Sequence, residues 1–342
     1  MRSKRFQRFL RALLSAILRL ALGLALGYVE MTLIAYFHPA EGQASGIVPA
    51  LTAAFEGGLM PMLRGGSSDF LTEAAKAAPA ALLAIGVAFS WRAGLYQLGG
   101  AGQYALGAAA CAACFTFFAL PWYACLLVSA AAGCWMGAVA GWMKNRFRVH
   151  EGLSTAMMAW IGIYAVGAAM QCFSASKADF PGIELPAALL PAAAALLLWL
   201  GMALTAAGWA HGTRGESERI ARYAGMDTGK ITVLTLTISA ALSGIAGGLG
   251  YCQGLLTQAP GIKLALSGLG AQGLAAGMLA NGNPIGTVLA AGLTAHLANG
   301  ANSLDTAVFS PEVGEWIVAQ ILYLSAAGML THAKKDKGGR SV

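Results

Sequence analysis

Side chains able to do covalent or metal chemistry are sparse in this chain. Cys111 and Cys114 stand one helical turn apart as C-x-x-C, a spacing that can hold a soft metal or a redox couple. No second pair and no nearby histidine accompanies them. All six cysteines fall in or at the edges of apolar segments, where small packing residues are the simpler reading. His150-Glu151 continues as GLS, so the H-E-x-x-H of zinc hydrolases is absent, and no G-x-S-x-G nucleophile turn occurs. GMDTGKI (225–231) echoes a phosphate loop, but its spacing fails and Ile231 stands where Ser or Thr would meet magnesium. These residues predict no catalysis, no metal and no bound cofactor. What remains is non-covalent: Glu30 is the one clear carboxylate inside an apolar segment, and the other polar groups there are uncharged. Such a path suits a neutral, polar solute and an energy source located elsewhere.

The surroundings of these residues belong to a bilayer. The 342 residues are 57% hydrophobic and only 11% charged, against roughly 25% charged in soluble domains. Forty-five glycines among apolar residues suit helices that approach closely in lipid. The net charge of +7 is spread over short loops, which fits membrane orientation better than nucleic acid. Residues 1–11, MRSKRFQRFLR, are strongly basic and precede a long apolar run, Ala12 to Phe37, without a clear cleavage site. An uncleaved first span with a cytoplasmic start is the expectation, with Arg19 snorkelling to that side. Residues 38–70 are semi-apolar, and Ser45 to Met60 could form a helix on the outer surface.

Further spans are expected at Leu71–Trp91, Gln103–Leu120, Tyr123–Met143, Leu153–Cys172, Leu189–Ala210, Ile231–Gly254, Leu264–Leu279, Pro284–Leu297 and Val313–Leu330. The fold class predicted is an all-α integral membrane protein of about ten transmembrane helices, some of them short for a bilayer. Residues 1–70 form an N-terminal arm, first span and surface helix; 71–342 form the core. With both termini cytoplasmic, the inner loops collect the basic N-terminus, Arg92, Lys144, Arg146, Arg148, Arg214, Arg219, Arg222, Lys230 and the basic tail. Most acids, among them Glu41, Asp69, Glu184 and Asp305, then fall outside. Two glycine-rich stretches, LGGAGQYALG (98–107) and LGAQGLAAG (269–277), interrupt spans in opposite halves. Broken helices at matching positions can line a central site and can reflect an internal duplication; in a chain this rich in glycine, chance offers the alternative.

Between the spans ending at Ala210 and starting at Ile231 lies a polar island, HGTRGESERIARYAGMDTGK (211–230). ESERIARYAG reads as a short helix, with acids at its start, arginines after them and Gly225 placed to stop it. By itself it either lies on lipid or is presented to a soluble partner.

Several stretches then resemble one family. ARYAGMDTGKITVLTLTISAALSGIAGGLG (221–250), WRAGLYQLGGAGQYALGA (91–108), VHEGLSTAMMAWIGIYAV (149–166) and NGNPIGTVLAAGLTAHLANGAN (281–302) are similar, in that order, to the permeases of bacterial ABC importers for nucleosides and simple sugars, a family akin to ribose and branched-chain amino acid permeases. The resemblance implies a permease of the bacterial cytoplasmic (inner) membrane without an ATP-hydrolysing site of its own. Its partners would be a cytoplasmic ATP-binding subunit, an extracytoplasmic solute-binding protein and a second permease. The long N-terminal extension favours a heterodimer over a homodimer. The island helix would be the coupling element, with Glu218, Arg219, Ile220, Ala221, Arg222, Tyr223, Ala224 and Gly225 meeting the ATPase. The substrate path would use Gly99, Gly100, Gly102, Gln103, Ser154 and Thr155, with Asn281 and Asn283 either lining it or capping the helix that begins at Pro284. Where the family commonly reads N-I-G-A-E-G-Q, this chain has QLGGAGQ, and His150 and Trp160 replace asparagines. The reading from another class is a secondary carrier driven by an ion gradient.

Overall fold

The structure, a computed structural model, describes residues 2–38, 46–64, 69–172, 180, 182–254, 272–274, 276–277, 283–301, 303–306, 308–310, 312–314, 316–321 and 323–324. Every regular element among them is helical: α1 (Arg2–Phe37), α2 (Ile47–Ala53), a π-helical stretch (Ala54–Leu59), α3 (Met60–Arg64), α4 (Phe70–Arg92), α5 (Gly100–Phe118), α6 (Trp122–Phe147), α7 (Glu151–Cys172), α8 (Glu184–Leu204), α9 (Ala206–Glu216), α10 (Glu218–Tyr223), α11 (Thr228–Cys252) and α12 (Pro284–Ala301). Six of them, α4 to α8 and α11, are long and apolar enough to cross a membrane over the residues described. The expected span 264–279 lies mostly outside the described residues, as does the end of 313–330.

The chain divides into two compact units, Asp69–Ala295 and Met1–Ser68 with His296–Val342. In the second of these, Met31 and Ala35 of α1 pack with Ala50, Met62, Leu297, Phe309, Ile317 and Ile321. The helix expected over Ser45–Met60 begins at Ile47 and passes into π geometry at AFEGGL. Glu30 accepts hydrogen bonds there from Trp316 Nε1 at 3.0 Å and Gln320 Nε2 at 2.5 Å.

In the unit Asp69–Ala295, α11 is the hub, packed against α6, α5 and α4. Small residues make this closeness achievable. Without a hydrophobic drive between helices in lipid, association depends on backbones approaching until van der Waals contact is dense. A Cβ built on Gly247 of α11 would fall on the Tyr104 carbonyl of α5, and one on Gly107 of α5 would fall on the Gly244 carbonyl. Bare glycine carbonyls also take hydroxyl donors across the packing: Ser129 Oγ reaches Gly107 O at 2.9 Å, and Ser239 Oγ reaches Gly86 O at 2.7 Å. The alanine-rich α4 is buried along most of its length, with Pro79 inside it. By contrast α8 turns Leu185, Leu189, Leu196 and Leu197 outward, as a lipid-facing helix does. The span expected at Leu189–Ala210 is not continuous: α8 ends at Leu204, Thr205 is extended, and its hydroxyl caps α9 by accepting from Gly208 N.

Candidate functional site

Two places in the larger unit carry most of the polar residues that the sequence marks as candidates. The first is the connection from α4 to α5. After α4 ends at Arg92, residues Leu95 to Gly99 run without regular structure to the start of α5 at Gly100. Gln97 and Gln103 are both buried there and pair, with Gln97 Nε2 donating to Gln103 Oε1 at 2.8 Å. Each keeps one polar atom unmatched among the described residues, an acceptor on Gln97 (Oε1) and a donor on Gln103 (Nε2). The start of α7 lies alongside. Thr155 Oγ1 accepts from Leu98 N at 3.2 Å and donates to Glu151 O at 2.8 Å; Ser154 Oγ donates to Glu151 O at 3.0 Å. Tyr96 stacks obliquely near His150, with ring centroids 6.1 Å apart. Lys144 at the end of α6 and Glu151 at the start of α7 form an ion pair at 2.6 Å, shielded from water.

Gly99, Gln103 and Thr155 are therefore neighbours: a Cβ on Gly99 would lie 2.9 Å from Gln103 Nε2 and 3.0 Å from Thr155 O. Gly100 faces Leu83 of α4, and Gly102 abuts the backbone of Ala159, closing α5 onto α7. Asn283 stands at the start of α12, where Oδ1 accepts from Ile285 N at 3.2 Å. That bond is a helix cap. Asn281 lies outside the described residues.

The second place is the island. Its helix α10 starts from Ser217, whose Oγ accepts from Ile220 N. It ends two residues before Gly225, which takes a φ of +75° that suits glycine. Of Glu218 to Gly225 only Ala221 is buried; Ile220 is 58% exposed and Tyr223 88% exposed. Glu218 and Arg222 pair at 2.6 Å along the helix, and Arg222 Nε donates to Thr228 Oγ1 at 3.3 Å. Asp227 then caps α11 through Lys230 N at 3.0 Å.

A family model described as the permease component of branched-chain amino acid transport systems matches residues 70–326. The chain belongs to that family. Among curated relatives, this permease is 29% identical over 278 residues to the guanosine ABC transporter permease protein NupP of Bacillus subtilis (strain 168), covering 73% of this chain and 78% of the relative. It is 26% identical over 126 residues to the nucleoside ABC transporter permease protein NupB of Lactococcus lactis subsp. cremoris (strain MG1363), covering 36% of this chain and 33% of that one. A solved ABC transporter of metal-chelate type, in an inward-facing conformation, is similar at TM-score 0.44 and 16% identity over 90% of this chain and 98% of that one. The permease is a multi-pass protein of the cytoplasmic membrane, a transport subunit in a family of transport components.

Sequence reasoning did not find everything polar in the permease. Gln97 reads from the sequence as a mere replacement for asparagine, and only the fold brings it onto Gln103. His211 and Arg214, which the sequence places in the polar island, are both 4% exposed. His211 stacks on Phe89 of α4 with centroids 4.3 Å apart. Burial, and then the charges of Arg92 and Arg214, push its imidazole from 6.5 down to about 4. The folded permease thus holds His211 neutral while the unfolded chain protonates it near the ordinary value. The resulting stabilisation is complete above about pH 6.5 and is lost as pH falls from there to about 4, on the order of 3 kcal/mol at most. Thermal unfolding of the purified protein should drop between pH 7.5 and pH 5, and His211→Phe, which keeps the stack, should remove a large part of that drop. An unchanged pH dependence in the variant would contradict it.

Proposed function

We propose that the permease is the translocating subunit of an ATP-driven importer that carries a neutral nucleoside across the cytoplasmic membrane. The nucleoside assignment takes its support from the guanosine and nucleoside permeases among its relatives. ATP is hydrolysed by a separate cytoplasmic ATP-binding subunit that docks on Glu218 to Gly225. Solute arrives from an extracytoplasmic binding protein, and a second permease completes the pore, a related chain in preference to a copy.

The observation that carries this reading is the exposure of α10. A short, well-capped helix joined to two long hydrophobic segments presents Tyr223, Ile220 and Arg219 to the outside of the fold. Tyrosine and arginine are the residue types that most often dominate protein interfaces. The charge asymmetry of the loops supports a cytoplasmic position for this helix and for both termini, in a chain of about ten spans. The two glycine-rich stretches in opposite halves of the chain support an internal duplication.

The path runs by Gly99, Gly100, Gly102, Gln103, Ser154 and Thr155. Gln97 and Gln103 offer it an unmatched acceptor and an unmatched donor. A neutral amide can bind a polar solute without the cost of burying a charge. Removing one such hydrogen bond, Gln103→Ala should lower uptake of radiolabelled guanosine about 10-fold and change its preference over cytidine. Unchanged uptake with unchanged preference would remove Gln103 from the path.

A further inference from the structure

The island is joined to the α4–α5 connection by a contact that a simple surface loop has no use for. Arg214, near the end of α9, is 4% exposed. Its Nη1 donates to the carbonyl of Ala93 at 2.5 Å. Ala93 is the residue that terminates α4, so the guanidinium sits where the helix leaves unmatched carbonyls and partial negative charge. Nη2 lies 4.0 Å from Glu218 of α10, and Nε has no partner among the described residues. Burying a guanidinium with so little compensation is costly. It is more readily understood as fixing a geometry than as adding stability.

The backbones beside it leave no slack. A Cβ on Gly215 would fall on the Arg92 carbonyl, and one on Gly94 would lie 3.4 Å from Gly215 Cα. Gly94 itself has a φ of +67°, so its conformation favours glycine, while the close approach to the Arg92 carbonyl requires glycine at 215. From that turn the chain continues directly to Gln97, to Leu98 whose N–H is held by Thr155, and to Gln103. On the other side, Glu218 pairs with Arg222, which reaches Thr228 at the start of α11.

We propose that Arg214 is the positioning residue that transmits displacement of α10 to the connection 93–99, and through it to the start of the substrate path. The proposal rests on α10 being the docking element for the ATP-binding subunit. When that subunit moves α10, the last turn of α9 moves with it. The Arg214–Ala93 bond and the Gly215–Gly94 contact oblige the 93–99 connection to follow. Arg214 touches neither solute nor nucleotide.

The test uses membranes containing the assembled transporter. Tyr223→Cys reports docking through cross-linking to the ATP-binding subunit. Leu98→Cys reports the connection through maleimide labelling, quantified at that peptide, with and without ATP and vanadate. In the otherwise native chain, nucleotide trapping should change labelling at position 98 several-fold. Arg214→Met, unbranched and flexible but without donors or charge, should abolish that response while the cross-link from position 223 persists. Arg214→Lys, which keeps a charged donor, should restore part of it. Arg214→Gln, shorter and uncharged, replaces the methionine variant should the latter fail to accumulate in the membrane. A full nucleotide response in Arg214→Met, or none in the native chain, overturns the proposal. So does loss of assembly in every Arg214 variant, which would make the residue merely structural. Absence of the cross-link from Tyr223→Cys in the otherwise native chain is a different failure: it removes the docking role of α10 on which the proposal stands.

Discussion

Arg219→Glu combined with Arg222→Glu should bring uptake to background while the permease still inserts and accumulates. Both side chains are exposed on α10. The Glu218–Arg222 pair lies at the surface, where such pairs are worth roughly 0–1 kcal/mol, so its loss hardly affects the fold. Ser217 still caps the helix and Ala221 still anchors it. Acids near the C-terminal end of a helix oppose its dipole by roughly 0.3–1 kcal/mol each, a tolerable cost for a helix held by its neighbours. An interface pays far more, because reversing a docked charge removes one attraction and creates a repulsion. Arginine hot spots cost on the order of 2 kcal/mol or more each, so the pair should weaken ATPase docking by about a thousandfold. The measurement is guanosine uptake alongside the amount of permease in the membrane and of ATP-binding subunit recovered with it. Normal uptake in the double variant would contradict the coupling role of α10, and an ion-driven carrier would show that result.

Gly247→Val should have the largest effect on the fold. The new Cβ falls on the Tyr104 carbonyl, with Ala108 N at 2.8 Å. Neither is the tip of a flexible side chain, so α5 and α11 must separate. Separation there also strains the matching contact of Gly107 with Gly244 and the Ser129–Gly107 hydrogen bond beside it. Over-packing a core by a few methylenes typically costs about 1–3 kcal/mol, and a backbone–backbone contact stands at or above the top of that range. The expected result is a severe loss of monodisperse protein after detergent extraction. Gly292→Val on α12, where nothing among the described residues lies within 4 Å of the added Cβ, provides the control and should extract normally. Equal yields and melting temperatures for the two variants would mean that the α5–α11 approach is looser than described.

What the sequence discloses is what depends on local pattern. Leu71–Trp91 corresponds to α4 and Tyr123–Met143 to α6 within a few residues, because long apolar runs bounded by charge or proline have few alternatives in lipid. The island helix is legible in part: Glu218 and Arg222 bracket one short segment ahead of Gly225, but Glu216, expected at its start, instead ends α9, and Ser217 caps α10. The break at Thr205 is not, because hydrophobicity continues through Ala206 to Trp209 and a single threonine cap is a weak signal against it. Burial of His211 and Arg214 is also illegible. Polar residues in a polar segment look solvated, and only tertiary packing against Phe89 and Ala93 says otherwise. The Gln97–Gln103 pair is hidden for the same reason: spacing alone does not reveal that the Leu95–Gly99 connection turns one amide onto the other. Among the glycines, the pattern identifies an interrupted segment, while the fold distinguishes Gly99, beside Gln103, from Gly102, which packs on Ala159.

The most direct test of the account is a mild-detergent purification of the tagged permease from its native membrane, with quantitative mass spectrometry of whatever accompanies it. The expected result is an ATP-binding subunit in near-equal amount, with a second permease beside it. A chain recovered alone, or only with copies of itself, under conditions that keep other ATP-driven transporters intact would contradict it.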